Sequence, residues 1–84
     1  MSTKRVLQRV LSRTSDASIG FDDLCQLLGS LGFEMRVRGS HHLFRRAGVE
    51  EKINLQREGH EAKPYQVKQV RAVILRHGLA GGDE

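Results

Sequence analysis

The chain has 84 residues with 14 Lys/Arg against 10 Asp/Glu, a formal charge of +4, and that length holds one domain with a modest core and excludes two. A single cysteine, Cys25, excludes a disulfide framework and a thiolate metal site and fits a reducing compartment, so a cytoplasmic protein is expected. The apolar stretches near the start are short and broken by Gln8, Arg9 and Arg13, so neither a secretory signal nor a membrane span is expected.

Thr3 to Arg13 places Val6, Leu7, Val10 and Leu11 at helical spacing, with Lys4, Arg5, Gln8 and Arg9 elsewhere, which predicts an amphipathic helix. Thr14 to Ser18 is a polar connector. Asp22 and Asp23 open a second helix, where negative charge suits the positive end of the helix dipole, and Gly32 closes it. Its apolar stripe is Leu24, Leu27, Leu28 and Leu31, with Ile19 and Phe21 placed to pack at its entrance.

Phe33 to Arg38 alternates apolar and charged residues, the period of a half-buried strand, so Arg36 and Arg38 share a solvent face. Gly39-Ser40 makes a tight turn into a second strand, His41 to Arg46, and Ala47-Gly48 leads to a third around Lys52 to Gln56. There Ile53 and Leu55 point one way and Asn54 and Gln56 the other. Glu58 to Glu61 reads as loop, and Pro64 begins a third helix through Val67, Val70, Val73 and Ile74 to Gly78, decorated by Lys68, Arg71 and Arg76. The predicted fold is α+β, in the order α-α-β-β-β-α: a three-stranded antiparallel sheet with helices on one face. Residues 1–84 form a single domain, with an N-terminal helical extension over 1–19, the core over 20–79 and a mobile tail over 80–84.

Charge is unevenly placed: from Glu34 to Arg76 ten Lys/Arg stand against five Glu, a surplus of five, and the remainder is slightly acidic. A basic surface favours a polyanion such as nucleic acid, because neutralising phosphates releases condensed counterions, and it also suits an acidic protein partner. The sheet face left open by the helices gathers Arg36, Arg38 and one of two adjacent histidines. His41 and His42 are consecutive in a strand and point to opposite faces, and His60 and His77 stand at no ligand spacing from them, so no metal site is expected.

Histidine moves a proton near neutral pH without special burial, and RNA supplies its own nucleophile, the 2′-hydroxyl. An imidazole plus cations that neutralise the developing phosphorane charge is then sufficient apparatus, without metal or cofactor. In that reading His41 is general acid or base, Gly39 lets the backbone approach a phosphate, and Arg36, Arg38 or Lys63 stabilises charge. On the residues alone the plainer alternative is better supported: the two histidines pair across the sheet, half exposed, and Gly39-Ser40 is an ordinary hairpin turn. Lys63 to Gln69 is equally two-sided, since Tyr65 either stacks on a base, with Lys68 on a phosphate, or packs at the helix start. No Ser/His/Asp order, glycine-rich phosphate loop or catalytic carboxylate pair stands out, Asp22-Asp23 reading as a dipole complement.

Three blocks, Arg38-Gly39-Ser40-His41-His42-Leu43-Phe44-Arg45, Ile53-Asn54-Leu55-Gln56 and Ala62-Lys63-Pro64-Tyr65-Gln66-Val67, resemble the HicA toxin family in order and spacing, over about Phe21 to Leu79. The resemblance implies a fold like the double-stranded-RNA-binding domain, a helix followed by three strands and a helix. It also implies an mRNA interferase, a ribonuclease that cuts messenger RNA without needing the ribosome and forms the toxin half of a toxin–antitoxin pair with a HicB-type antitoxin. The histidine after the Gly-Ser turn corresponds to His41, with His42 as the fallback, and RNA contacts are expected from Arg36, Arg38, Gly39, Ser40, Lys63, Tyr65 and Lys68. The alternative is an RNA-binding module of the same fold that does not cut. Two departures stand out. Thr3 to Ser18 precedes the minimal family domain, its helix serving to extend the core, form a dimer surface or touch the antitoxin; and the histidine is doubled where some relatives carry another residue.

Overall fold

The computed structural model describes residues 3–14 and 16–81. They form helices α1 (Thr3–Ser12), α2 (Phe21–Ser30) and α3 (Pro64–Arg76), strands β1 (Glu34–Arg38), β2 (His41–Arg46) and β3 (Val49–Gln56), and two short 3-10 turns, Asp16–Ser18 and Leu79–Gly81. The sheet is antiparallel in the order β1-β2-β3. Among the described residues no helix is long and apolar enough to cross a membrane.

Alternation decides which face of the sheet is covered. Phe44 pairs with Ile53, and both are fully buried, as is Leu55 opposite His42. Against them lie Leu24, Leu27 and Leu28 of α2 and Val67, Val70 and Ile74 of α3, in one core cluster that also takes in Val6 and Val10 of α1. Gly32, at φ +95°, ends α2 in the left-handed conformation that a side chain resists, turning the chain into the sheet.

Three expectations about the strands and the tail are corrected. Met35 and Val37, placed on a half-buried face by their alternation, are 53% and 50% exposed, because β1 is an edge strand that packs chiefly on β2. The third strand begins at Val49 rather than near Lys52: the Ala47-Gly48 turn allows Arg46 to pair with Val49 at once, and the register then shifts between Phe44 and Arg46. Ala80, expected in a mobile tail, sits with Leu79 in a 3-10 turn against the core, while residues 82–84 of that tail lie outside the described residues.

The N-terminal segment extends the core. Val6 and Val10 are 2% and 0% exposed, and α1 packs on both α2 and α3. Arg71 of α3, expected on the surface, is buried: its Nη1 donates to the Val10 carbonyl at 3.0 Å and to Asp16 Oδ1 at 2.9 Å, and its Nη2 to Asp16 Oδ2 at 3.2 Å. This fork holds the Asp16 carboxyl below the usual carboxylate range. A second buried polar group, Gln66, accepts from the Lys63 N–H at 2.9 Å and donates to the Gln56 carbonyl at 3.0 Å, fastening the start of α3 to the end of β3. At the other end of the helix Glu51 bonds His77 Nε2 at 2.7 Å and Arg76 Nη1 at 2.8 Å.

Removing one partner of a buried pair strands the other, so Arg71→Ala is expected to lower the unfolding free energy by about 3 kcal/mol in urea titrations. A loss below about 0.5 kcal/mol, the scale of a surface pair, contradicts that role. The Glu51 carboxyl, stabilised as its anion first by His77, then by its own backbone N–H and Arg76, is pushed down from 4.5 to about 2. Its contribution is therefore present above the unfolded value of 4.5 and is lost as pH falls toward about 2. Thermal midpoints of Glu51→Gln against wild type are expected to fall less steeply through that window, and parallel curves contradict the assignment.

Candidate functional site: the open face of the sheet

Register assembles the site. Arg38 pairs with His41 and His41 with Gln56; Arg36 pairs with Leu43 and Leu43 with Asn54; Glu34 pairs with Arg45. Paired residues share a face, and this one is opposite to Phe44, Ile53 and Leu55. All of these outward side chains are exposed except Leu43, which is half-buried. Arg36, Arg38 and His41 thus stand together on the bare side of the sheet, and a groove of about 370 Å³ over Leu43 is lined by Arg36, Arg38, Arg45 and Lys52 together with Glu34 and Met35.

His41 Nδ1 lies 3.3 Å from Asn54 Oδ1. A carboxamide oxygen only accepts, so Nδ1 carries the donated proton and Nε2 is the nitrogen available to take or give another. The turn beside it is fixed from β3: the Ser40 carbonyl accepts from the Arg57 N–H at 2.9 Å, and the Ser40 hydroxyl from Gln56 Nε2 at 3.4 Å. Gly39 has φ +58° while Ser40 is not in the positive region, the combination of a type II′ hairpin, which glycine at the first turn position satisfies. A Cβ at Gly39 meets nothing within 4 Å, so the backbone there is open to a ligand.

His42 faces the other way, as consecutive strand residues must. It is half-buried, its ring edge-on to Phe21 with centroids 5.0 Å apart and planes at 77°, and its Nδ1–H donates to the Ser40 carbonyl at 3.4 Å. The Arg57 guanidinium covers the Phe21 ring at 4.6 Å and pairs with Asp22, so Asp22 is an ion-pair partner as well as a helix-start charge.

The remaining RNA-contact candidates are not gathered with His41. Lys63, Tyr65 and Lys68 belong to α3 and its approach, in the helix layer across the sheet. The Lys63 ammonium is 3.5 Å from Glu58 Oε1. Tyr65 is 62% exposed and so does not pack at the helix start. Because α3 is fastened at Gln56, these residues flank the end of the sheet that carries the Gly39-Ser40 turn. Residues absent from the sequence-based site are Asn54, Gln56, Arg45 and Lys52; the signal for them was parity, since each is an even number of residues from a neighbour on the same strand already assigned to the outer face.

Among the described residues no group of three His, Cys, Asp or Glu side chains forms a metal-ligand set. Burial, with Asp22 nearby, pushes the Cys25 thiol up to about 11, which leaves it unreactive at neutral pH. The open face therefore offers one imidazole for proton transfer and a set of exposed cations for an anion beside it.

The Asn54 contact makes a spectroscopic prediction. In nitrogen-15 NMR at a pH where His41 is neutral, its proton is expected on Nδ1, and Asn54→Ala is expected to move the population toward the Nε2–H form. An Nε2–H majority in the wild type contradicts the hydrogen bond.

No family model matches the chain, and neither does any curated protein or solved structure.

Proposed function

We propose that the chain is a metal-independent endoribonuclease of the HicA type, with a fold like the double-stranded-RNA-binding domain, acting on messenger RNA in the cytoplasm and silenced by a HicB-type antitoxin that covers its basic face. The observation that carries this reading is the exposed His41 imidazole, anchored at Nδ1 by Asn54 on the face that also presents Arg36 and Arg38. The order α2-β1-β2-β3-α3 agrees with the helix, three strands and helix that the sequence blocks imply.

His41 moves the proton at Nε2, as base toward the 2′-hydroxyl or as acid toward the departing 5′-oxygen, and solvent water exchanges the other proton. The 2′-oxygen attacks the adjacent phosphorus, the bond from phosphorus to the 5′-oxygen breaks, and that oxygen leaves as a hydroxyl. Arg36 and Arg38 oppose the charge that builds on the phosphoryl oxygens. His42, turned against Phe21, supports the strand and the Ser40 turn.

Purified wild type, His41→Ala and His42→Ala, each checked for folding by circular dichroism, are incubated with a long messenger RNA in EDTA. Wild type is expected to cut, and His41→Ala to lose at least about 100-fold in rate. Loss confined to folded His42→Ala moves the role by one position. Intact RNA bound in a salt-sensitive way contradicts the enzyme and leaves a binding module.

A further inference from the structure

Beyond the reacting centre, the open face carries two further cations for which the proposed chemistry has no use. Arg45 is four residues along β2 from His41 and on the same side, about 13 Å away at strand spacing. Lys52 projects from the same face of β3, two residues before Asn54, and both side chains line the groove floored by Leu43. Both are exposed, and among the described residues neither takes part in an ion pair.

We propose that Arg45 and Lys52 form a second phosphate subsite, and that single-stranded RNA lies along the strands from His41 across Arg36 to this subsite. The inference rests on the RNA reading above and adds the form of the substrate and its direction over the sheet. Side chains on one face recur every second residue, about 6.5 Å apart, close to the step between successive phosphates of an extended strand. The rows Arg38–His41 and Arg36–Leu43, followed by Arg45 and Lys52 where the register of β2 and β3 shifts, thus offer three consecutive phosphate positions.

The footprint selects a single strand. Three strands make a sheet about 10 Å wide, whereas a duplex reader must reach two successive minor grooves and the phosphates between them. The face bears no Phe, Tyr or Trp ring: its outward residues are Glu34, Arg36, Arg38, His41, Leu43, Arg45 on β1 and β2 and Glu50, Lys52, Asn54, Gln56 on β3. Binding is therefore to the backbone rather than by stacked bases, and tolerates sequence. Glu34 stands directly across from Arg45 and lines the same groove, and Glu50 lies two residues before Lys52, so these carboxylates close the track at Arg45 and Lys52.

The test is binding without cleavage. His41→Ala protein, with and without Arg45→Ser and Lys52→Ser together, is titrated by fluorescence anisotropy with labelled oligouridylates of about two to ten nucleotides across a salt series. Affinity is expected to rise with length and level off near five. The double variant is expected to bind the longer oligomers about tenfold more weakly and to lose about 0.7 from the slope of log affinity against log salt, one phosphate contact's worth. An unchanged slope, tighter binding of duplex than of single strand, or equal binding of a polyglutamate peptide overturns the track. A chain that cuts RNA with an unchanged slope loses the track alone; one that binds as described yet leaves RNA intact when His41 is present loses the nuclease alone.

Discussion

The sheet has two faces and the chain has helices enough for one. Phe44, Ile53 and Leu55 fix which face that is, because they are fully buried against α2 and α3, and burying such side chains is worth about 1.5–3 kcal/mol each. Once they point inward, strand geometry leaves His41, Asn54, Gln56 and the arginines of β1 no direction but outward. The candidate site is thus a consequence of the core: a one-residue slip in register would bury the arginines and expose Phe44.

The covering layer is held by a few polar contacts placed where the apolar core ends. Arg71 ties α3 to α1 and to the Asp16 turn, Gln66 ties the start of α3 to β3, and the Glu51 cluster ties its end. Two of these lie at opposite ends of one helix, which keeps α3 aligned with the strand that supplies Asn54. Orientation of the His41 ring depends in turn on that strand, so the polar fastenings of the hidden layer reach the exposed one through β3.

Much of this was legible in the residues. Consecutive places in one strand gave the opposite orientations of His41 and His42, and Pro64 and Gly78 bracketed the third helix near its observed ends. Alternation states which residues share a face, not whether anything lies over that face, and so Met35 and Val37 were placed correctly but not their exposure. Arg71 read as surface decoration because its partner Asp16 is 55 residues away in a connector. Glu51 hid the start of β3, since an inward glutamate is tolerable only with the distant His77 and Arg76 to receive it. For the site, Arg36, Arg38, Gly39, Ser40 and His41 were found together, while Lys63, Tyr65 and Lys68 are near in sequence to a shared pattern but separated from His41 by the thickness of the sheet.

The central claim is that His41 moves a proton for an attack made by the RNA itself. The most direct measurement is the mass of the fragments released from a short RNA in EDTA, beside the same RNA with the 2′-hydroxyl replaced by hydrogen at the cleavage position. The account predicts a 2′,3′-cyclic phosphate on one fragment, a 5′-hydroxyl on the other, and no cut at the deoxy position. Cleavage of the deoxy substrate, or fragments ending in a 5′-phosphate, would mean that water or a protein group is the nucleophile and would contradict it.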